Sequence, residues 1–570
     1  MKKKRNVLAA ILSLCMLCAC SGQPSQSQSV SNTSSASQPS QPSQPSGSVA
    51  SSASVSQDAG SAGTGGPYTL PLTDKPITLT CFIAMDSKAG LTLTNLSENL
   101  GLQDYEKITG IHVEYNHPSS ATSTSQALNI MIASNDLDDI IYNINSVSGG
   151  LDSIVKSGQI LRLNEMIEEY GYYLNQTFQE YPEFKAQVMT YEGNIANYPS
   201  ARLADTTHYF ESLIIRKDWL DKLGLEVPTD LESWYTVLTA FKEKDPNGNG
   251  QQDELPFISN STEEMGILRL GCFYGLNATW FRWEATGIED GKVVFAPFKP
   301  EFKDYLTTMN QWYTEGLIDP EYLSTDAKGF SAKVLNDQGG AFYGKMNGGI
   351  ATFMSSSKTE GFEVSPVPYP ITADGKSYDL YSQDISDAGG AAISASCKYP
   401  VEALRWLDYR YSPEGQIHSS FGIEGITYNM VDGAPQYSDM IVNNTEGWSL
   451  TNAIAHYTTG GIAPRLVNDE FYWNAVMLYP QQRLVYPTVS ASTDERKMHA
   501  LKYSQEDQAK LDSLLNDLGT YYTENVHAFV MGTKPLSEYD SFVETLKSMG
   551  AEEVISLKQK AYEQYLASMK

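Results

Sequence analysis

Residues 213–256 read LIIRKDWLDKLGLEVPTDLESWYTVLTAFKEKDPNGNGQQDELP, one apolar run, two short helical patterns and an acidic loop in unbroken order. Leu213, Ile214 and Ile215 predict a buried strand. Lys217 to Leu223 predicts a helix of about a turn and a half, stopped at Gly224, a residue that tolerates the left-handed conformation ending helices. Thr229 and Glu232 have the spacing of a capping box. Trp234, Leu238 and Phe241 then recur at helical spacing, so the next helix is amphipathic. In the loop, Asp245, Asn247 and Asn249 stand two apart, Gly250 follows, and Asp253 and Glu254 close the segment. Calcium takes six to eight oxygens, and alternate side chains of a tight loop can converge on one point. The first six positions fit D-x-[DN]-x-[DN]-G, and Gln251 stands where such a loop lends a backbone carbonyl. The twelfth position, normally Glu, is Pro256, so the carboxylates at positions nine and ten would finish the shell. The alternative is a polar Asn-Gly turn that needs no metal. A cation here would be structural, because the protein supplies most of the ligands.

Outward from this stretch, the N-terminus carries Lys2, Lys3, Lys4 and Arg5 before an apolar run from Val7 to Leu17, too short to span a bilayer. It is a signal peptide. It ends in Leu17-Cys18-Ala19-Cys20, which resembles a bacterial lipobox, in which the thiol of the last cysteine (here Cys20) accepts the lipid; an ordinary cleavage site nearby is the alternative. Residues 20–67 are nearly all Ser, Gln, Pro, Ala, Gly, Thr and Val, and predict a flexible tether. The expected localisation is the extracellular face of a bacterial membrane, reached through the lipid only.

The rest of the 570-residue chain is too long for one hydrophobic core. Cys81, Cys272 and Cys397 are widely spaced and form neither a disulfide framework nor a zinc pattern. The formal net charge of −28 argues against nucleic acid and anionic membrane surfaces as partners. Strand candidates at Ile77 to Ala84, Ile111 to Tyr115 and Asp139 to Tyr142 alternate with helical segments, the pattern of a parallel sheet in an α/β fold. Ligands of such sheets sit beyond the carboxyl ends of the strands, where Met85, Asp86, His117, Asn143 and Asn145 stand.

The segments MIASNDLDDIIYN, YEGNIANYP, IIRKDWLDKLGLEVPTDLESWYTVLTAF, DPNGNGQQDELPF, YTEGLIDPEYL, EALRWLDYRYSPEGQ and FGIEGITY, in this order, resemble the extracellular solute-binding lipoproteins (family 1) of carbohydrate ABC transporters. The chain is similar to the larger members, which include alginate-oligosaccharide binders. The resemblance implies an α/β, two-lobed periplasmic-binding-protein-like fold of type II, with lobes joined by crossing segments and closing on a sugar, and a calcium ion in the DPNGNG loop. It implies a first lobe from 68–200 and 347–440, with the return crossing at Ile350 to Phe353. The second lobe would comprise 201–346 and 441–570, ending in helices. It also implies an oligosaccharide ligand, ABC permease subunits as partners, and a monomer.

Sugar sites combine aromatic faces with planar polar groups. Trp280, Trp283 and Trp473 are the expected stacking rings, with Phe353 at the return crossing. Tyr198 and Arg202 flank the first crossing, and Tyr381, Asp384 and Arg465 complete the expected ligand set. For each aromatic, core packing is the competing role; for the arginines, it is a surface or inter-lobe ion pair. A secreted glycoside hydrolase would also be acidic and aromatic-rich and would need two carboxylates across the scissile bond, but G-x-S-x-G, H-E-x-x-H and Walker sequences are absent. A glycan-binding adhesion or sensory lipoprotein is the other alternative. Neither the sugar nor its linkage is legible.

Overall fold

The computed structural model of the protein describes residues 67–119, 122–204, 208–260, 266–278, 285–380, 384–462, 464–466, 471, 475–493 and 495–569. Cys20, Trp280, Trp283, Tyr381 and Trp473 lie outside the described residues.

The strands are, in order, β1 (Ile77–Phe82), β2 (Ile111–Asn116), β3 (Ile140–Tyr142), β4 (Tyr198–Ala201), β5 (Glu211–Arg216), β6 (Leu255–Phe257), β7 (Thr286–Glu289), β8 (Lys292–Phe295), β9 (Gly339–Lys345), β10 (Val364–Val367), β11 (Ser386–Ile393), β12 (Tyr428–Val431) and β13 (Ala434–Tyr437). Two larger sheets carry the architecture. One has the order β2-β1-β3-β11-β4, the other β10-β5-β9-β6. In the first, β1 pairs in parallel with β2 and β3, as the alternating pattern predicts, while β11 runs antiparallel to β3 and β4.

The period of two along a strand sends neighbouring residues to opposite faces. Ile140 and Ile393 join one core with Leu79, Tyr105 and Trp406, while Ile141 and Ala392 join another with Leu128 and Ile154. Both faces of this sheet are therefore covered at β3, which explains its continuous apolar run, whereas β2 alternates and leaves His112 and Glu114 exposed. The second sheet has its own core around Leu213, Ile215, Trp219, Trp234 and Phe241, which extends to the C-terminal helices through Leu518, Phe529 and Phe542. Two separate cores on two sheets make this a two-lobed α/β molecule. No helix among the described residues is long and apolar enough to cross a membrane.

Residues 213–243 fold as their sequence predicts, with one shift. β5 is buried throughout, a helix spans Lys217–Leu223, and the amphipathic helix spans Leu231–Glu243. The cap, however, is Asp230 with Ser233, not Thr229 with Glu232. Asp230 Oδ1 accepts from Ser233 N at 2.8 Å, and Ser233 Oγ accepts from Asp230 N at 3.0 Å. An extended Asp brings a full negative charge to the helix N-terminus, where it is favoured. Gly340 in β9 lets this helix approach the sheet: a Cβ there would stand 2.6 Å from the Phe241 ring.

The packing departs from the expected lobe boundaries in two places. Phe353 is 2% exposed and packs against Phe330 and Phe342 in the second core, and β10 pairs with β5 there. The chain therefore does not return at Ile350 to Phe353; it returns through the segment leading into β11. Ala455 and Ile462, expected in the second lobe, pack on the first core. Asn99 and Arg410 explain why. Asn99 Nδ2 donates to the carbonyls of Ala455, His456 and Thr458 at 3.2, 2.8 and 3.0 Å. Arg410 Nη2 donates to those of Thr459 and Ile462 at 3.3 and 3.2 Å.

Candidate functional site

After the helix Leu231–Glu243 the chain curls inward on its own polar side chains. Asp245, at φ 45°, accepts from Gly248 N (2.8 Å) and Asn249 N (3.1 Å) on Oδ1 and from Gly250 N (3.0 Å) on Oδ2. Asn247 Oδ1 accepts from Asn249 N at 2.9 Å, and Asn249 Oδ1 from Gln251 N at 2.7 Å. Gly250 has φ 76°, a conformation that a side chain would strain. Asp253 Oδ1 accepts from Asn249 Nδ2 at 2.9 Å and Asn247 Nδ2 at 3.3 Å.

Glu254 is the anomaly. It is 8% exposed, and no side chain donates to its carboxylate; only the backbone N–H groups of Glu254 and Asn247 bear on it. Burial, together with the charges of Asp245 and Asp253, pushes its carboxyl above the usual carboxylate range. A buried carboxylate with no cationic partner beside two like charges is costly unless a cation shares the space. The oxygen-only donor set suits a hard cation. Carboxylates alone do not make the site: among the described residues no group of three or more His, Cys, Asp or Glu is placed to hold a metal. The asparagine and backbone oxygens would have to complete the shell.

Tertiary contacts that local spacing does not reveal brace this loop. Lys222 Nζ donates to Pro246 O at 2.6 Å, Asn247 Nδ2 to Asp337 O at 3.0 Å, and Gln338 Nε2 to Asp253 Oδ2 at 3.3 Å. Asp337 in turn pairs at 2.5 Å with Arg216, a fully buried guanidinium that also binds Asp218 and lies 4.5 Å from the Trp219 ring and 4.4 Å from the Phe362 ring.

The expected ligand residues fall into three groups. Arg202, Asp384 and Arg465 stand where three chain segments run side by side. Ala201 N donates to Arg465 O and Arg202 N to Ile385 O, both at 2.9 Å. Leu466 bridges in parallel to Ala201, and Ser386 pairs with Ala201 from the other side. Beside these three segments the chain passes between the first core and the second. Arg202 lies 5.9 Å from the Phe210 ring, and its carbonyl accepts from His208 Nε2 at 2.8 Å. Arg465 Nη1 comes within 3.5 Å of where a Cβ on Gly460 would stand. Asp384 is committed to protein partners: His499 Nδ1 at 2.7 Å, Ala500 N at 2.9 Å and Lys497 Nζ at 3.3 Å. Burial pushes its carboxyl up, but the His499 hydrogen bond and the Lys497 charge outweigh that and hold it well below the usual range.

Tyr198 and Phe353 form the second group, buried with no ring face left for a sugar. Tyr198 is 0% exposed, and its hydroxyl donates to Asp408 Oδ1 at 2.6 Å. Burial raises its phenol well above the ordinary value, and Asp408 adds to the effect. Asp408 also accepts from Tyr173 N and Leu174 N, both at 2.8 Å, and from the Tyr68 hydroxyl, so one carboxylate joins the start of the described chain to the first crossing. Its signal in the sequence was an acidic residue on the apolar face of EALRWLDYRY. Trp280, Trp283, Tyr381 and Trp473, the third group, lie outside the described residues.

Comparison with known proteins places this geometry. The family profile described as bacterial extracellular solute-binding protein matches residues 92–417. A fructooligosaccharide ABC transporter substrate-binding protein, FusA of Streptococcus pneumoniae serotype 4, is 26% identical over 513 residues, 85% of this chain and 90% of FusA. Lipoprotein LipO of Bacillus subtilis is 24% identical over 474 residues, 81% of this chain and 88% of LipO. Among solved structures, the alginate-binding protein AlgQ2 without calcium ion superposes with a TM-score of 0.68 at 26% identity, over 86% of this chain and 99% of AlgQ2.

Proposed function

The chain belongs to the bacterial extracellular solute-binding proteins, and on that premise we propose that it captures an oligosaccharide between its lobes and delivers it to the permease of an ABC transporter. The observation that carries this is the family match over residues 92–417, which includes the crossings at Arg202 and Ile385, supported by a fructooligosaccharide-transporter binding protein aligned along 85% of the chain. FusA is by its name the substrate-binding protein of an ABC transporter, and in this reading the lobes close on the ligand without breaking a bond. Closure suits delivery, because contacts from both lobes exist together only in the closed form and the ligand shifts the population toward it.

In this reading Trp280, Trp283, Tyr381 and Trp473 offer rings to the sugar, and Arg202 and Arg465 offer planar donors from the crossings. Asp245, Asn247, Asn249, Asp253, Glu254 and the Gln251 carbonyl hold a calcium ion, which supplies positive charge and stiffens the loop. The buried Glu254 carboxylate beside Asp245 and Asp253 supports this reading. Cys20 carries the lipid, residues 20–67 form the tether, and the folded part stands as a monomer at the extracellular face. The likeness to a lipoprotein supports the anchor.

Calorimetric titration with kestose, nystose, alginate oligosaccharides and pectic oligosaccharides tests the function. Saturable binding of one class, with the sugar recovered unaltered after prolonged incubation, is expected. Shorter products that vanish on replacing a single carboxylate would overturn the reading.

A further inference from the structure

Between β1, which ends at Phe82, and the helix Leu100–Thr109, the chain forms a loop that starts at the carboxyl end of β1, the end at which ligands of parallel sheets sit. The loop winds on Asp86, whose Oδ1 accepts from Lys88 N at 2.9 Å and Ala89 N at 3.2 Å and whose carbonyl accepts from Gly90 N at 2.8 Å. Leu91 in this loop is 72% exposed. The loop lies against the segment that carries Arg465. Asp86 Cγ is 3.9 Å from where a Cβ on Gly461 would stand, and Arg465 O accepts from Ala201 N beside the first crossing.

One side chain from the neighbouring strand closes the base of this loop. His117 follows β2 and is half-buried. Its Nδ1 lies 2.7 Å from Ile83 O at the entry of the loop, and its Nε2 accepts from Leu96 N at 3.2 Å at the exit. A carbonyl can only accept and a backbone N–H can only donate, so the imidazole is neutral and carries its proton on Nδ1. The two contacts respond differently to acid. A second proton enters at Nε2, leaves the bond to Ile83 O in place, and sets one N–H against the N–H of Leu96. The exit keeps two other ties, Asn95 Nδ2 to Tyr115 O at 3.1 Å and the Leu96 side chain in the first core. The charged groups on the elements that meet His117 are Asp86 and Lys88 on the loop, Glu98 in the turn Leu96–Glu98, and Glu114 on β2. Asp86 is engaged within the loop, Glu98 accepts from the Thr94 hydroxyl, and Glu114 is exposed.

We propose that His117 is a positioning residue for sugar capture: its neutral imidazole staples the entry and the exit of residues 84–95 to the first sheet, and acid weakens capture by removing the acceptor at the exit. The proposal deepens the oligosaccharide reading and rests on it. The mechanism is a population effect. A loop that spends only part of its time in the binding-competent shape lowers the apparent affinity by that fraction. One lost hydrogen bond, with the donor left unpaired, corresponds to about a five- to tenfold change.

Hydrogen exchange of the unliganded full chain, read by mass spectrometry as protection factors at about pH 7.5 and about pH 5, tests the staple without a sugar. Peptides covering residues 84–96 should lose protection in acid while those covering β1 and β2 keep theirs. In His117→Ala the same peptides should be weakly protected at both pH values; if that variant does not fold, the parent's own exchange decides the matter. Titration with kestose at the two pH values reads the consequence. The parent should bind about five- to tenfold more weakly in acid, and His117→Ala should bind weakly with a flat pH profile, whereas a histidine that only supports the fold would move the melting temperature and leave the affinity profile alone. Loop protection that ignores pH, or an affinity profile that parent and variant share, would overturn the proposal. A parent that binds neither kestose nor any other sugar of the titration panel would instead overturn the oligosaccharide reading, and the exchange result is independent of that outcome.

Discussion

Glu254→Gln should change stability in opposite directions with and without calcium. In chelator, the parent buries a carboxylate that is 8% exposed, has no side-chain donor and faces Asp245 and Asp253. An incompletely satisfied buried charged group costs about 1–3 kcal/mol or more, and two like charges near a protein surface repel by up to about 4 kcal/mol at contact. Glutamine keeps the shape and removes the charge, so the variant should be more stable than the parent in chelator by about 1–3 kcal/mol. In calcium at 100 times the dissociation constant the parent gains roughly 2.7 kcal/mol. A variant lacking one ligand charge should lose most of that gain and melt below the parent. The pH dependence carries the same sign. A carboxyl raised in the folded state contributes stability below its unfolded value, about 4.3 for Glu, and loses it as pH rises through the folded value. In chelator, the deficit of the parent relative to Glu254→Gln should therefore shrink on acidification from neutral pH toward that range. Differential scanning calorimetry of both proteins in chelator and in calcium supplies all four melting curves. A variant that melts below the parent in both conditions, or a parent indifferent to calcium, would refute the reasoning and leave the loop a polar turn.

Further outcomes are open to direct measurement. Asp408→Ala removes the acceptor of two tyrosine hydroxyls and two backbone N–H groups, and denaturant unfolding should show a loss of about 3 kcal/mol or more. Cys20→Ser should move the protein from the membrane fraction to the soluble or precursor pool; membrane attachment through the mature chain would reject the lipid assignment. Trp473→Ala should weaken binding of the best oligosaccharide in the titration panel by roughly 2 kcal/mol and leave the melting temperature of the unliganded protein nearly unchanged. A buried Trp would instead cost about 3–5 kcal/mol of stability when truncated.

What the sequence determined by itself is local or carried by resemblance. β5, the two helices behind it and the acidic loop were legible because their causes lie within a few residues: an apolar run, a 3.6-residue repeat, oxygen side chains two apart. The cap was misplaced by one residue because Thr229 with Glu232 and Asp230 with Ser233 both fit a capping box, and only the backbone at Asp230 chooses between them. The two-lobed α/β fold was legible through the ordered series of family segments, not through periodicity. The fates of Tyr198, Phe353 and Asp384 were decided by tertiary structure alone. Tyr198 meets Asp408 210 residues away, Asp384 meets Ala500 116 residues away, and Gln187 meets Ser386 199 residues away. An aromatic or acidic side chain reads the same whether it will face a sugar or a neighbouring helix. Which one it faces depends on where packing brings distant segments, and that information is not local to any stretch of the chain.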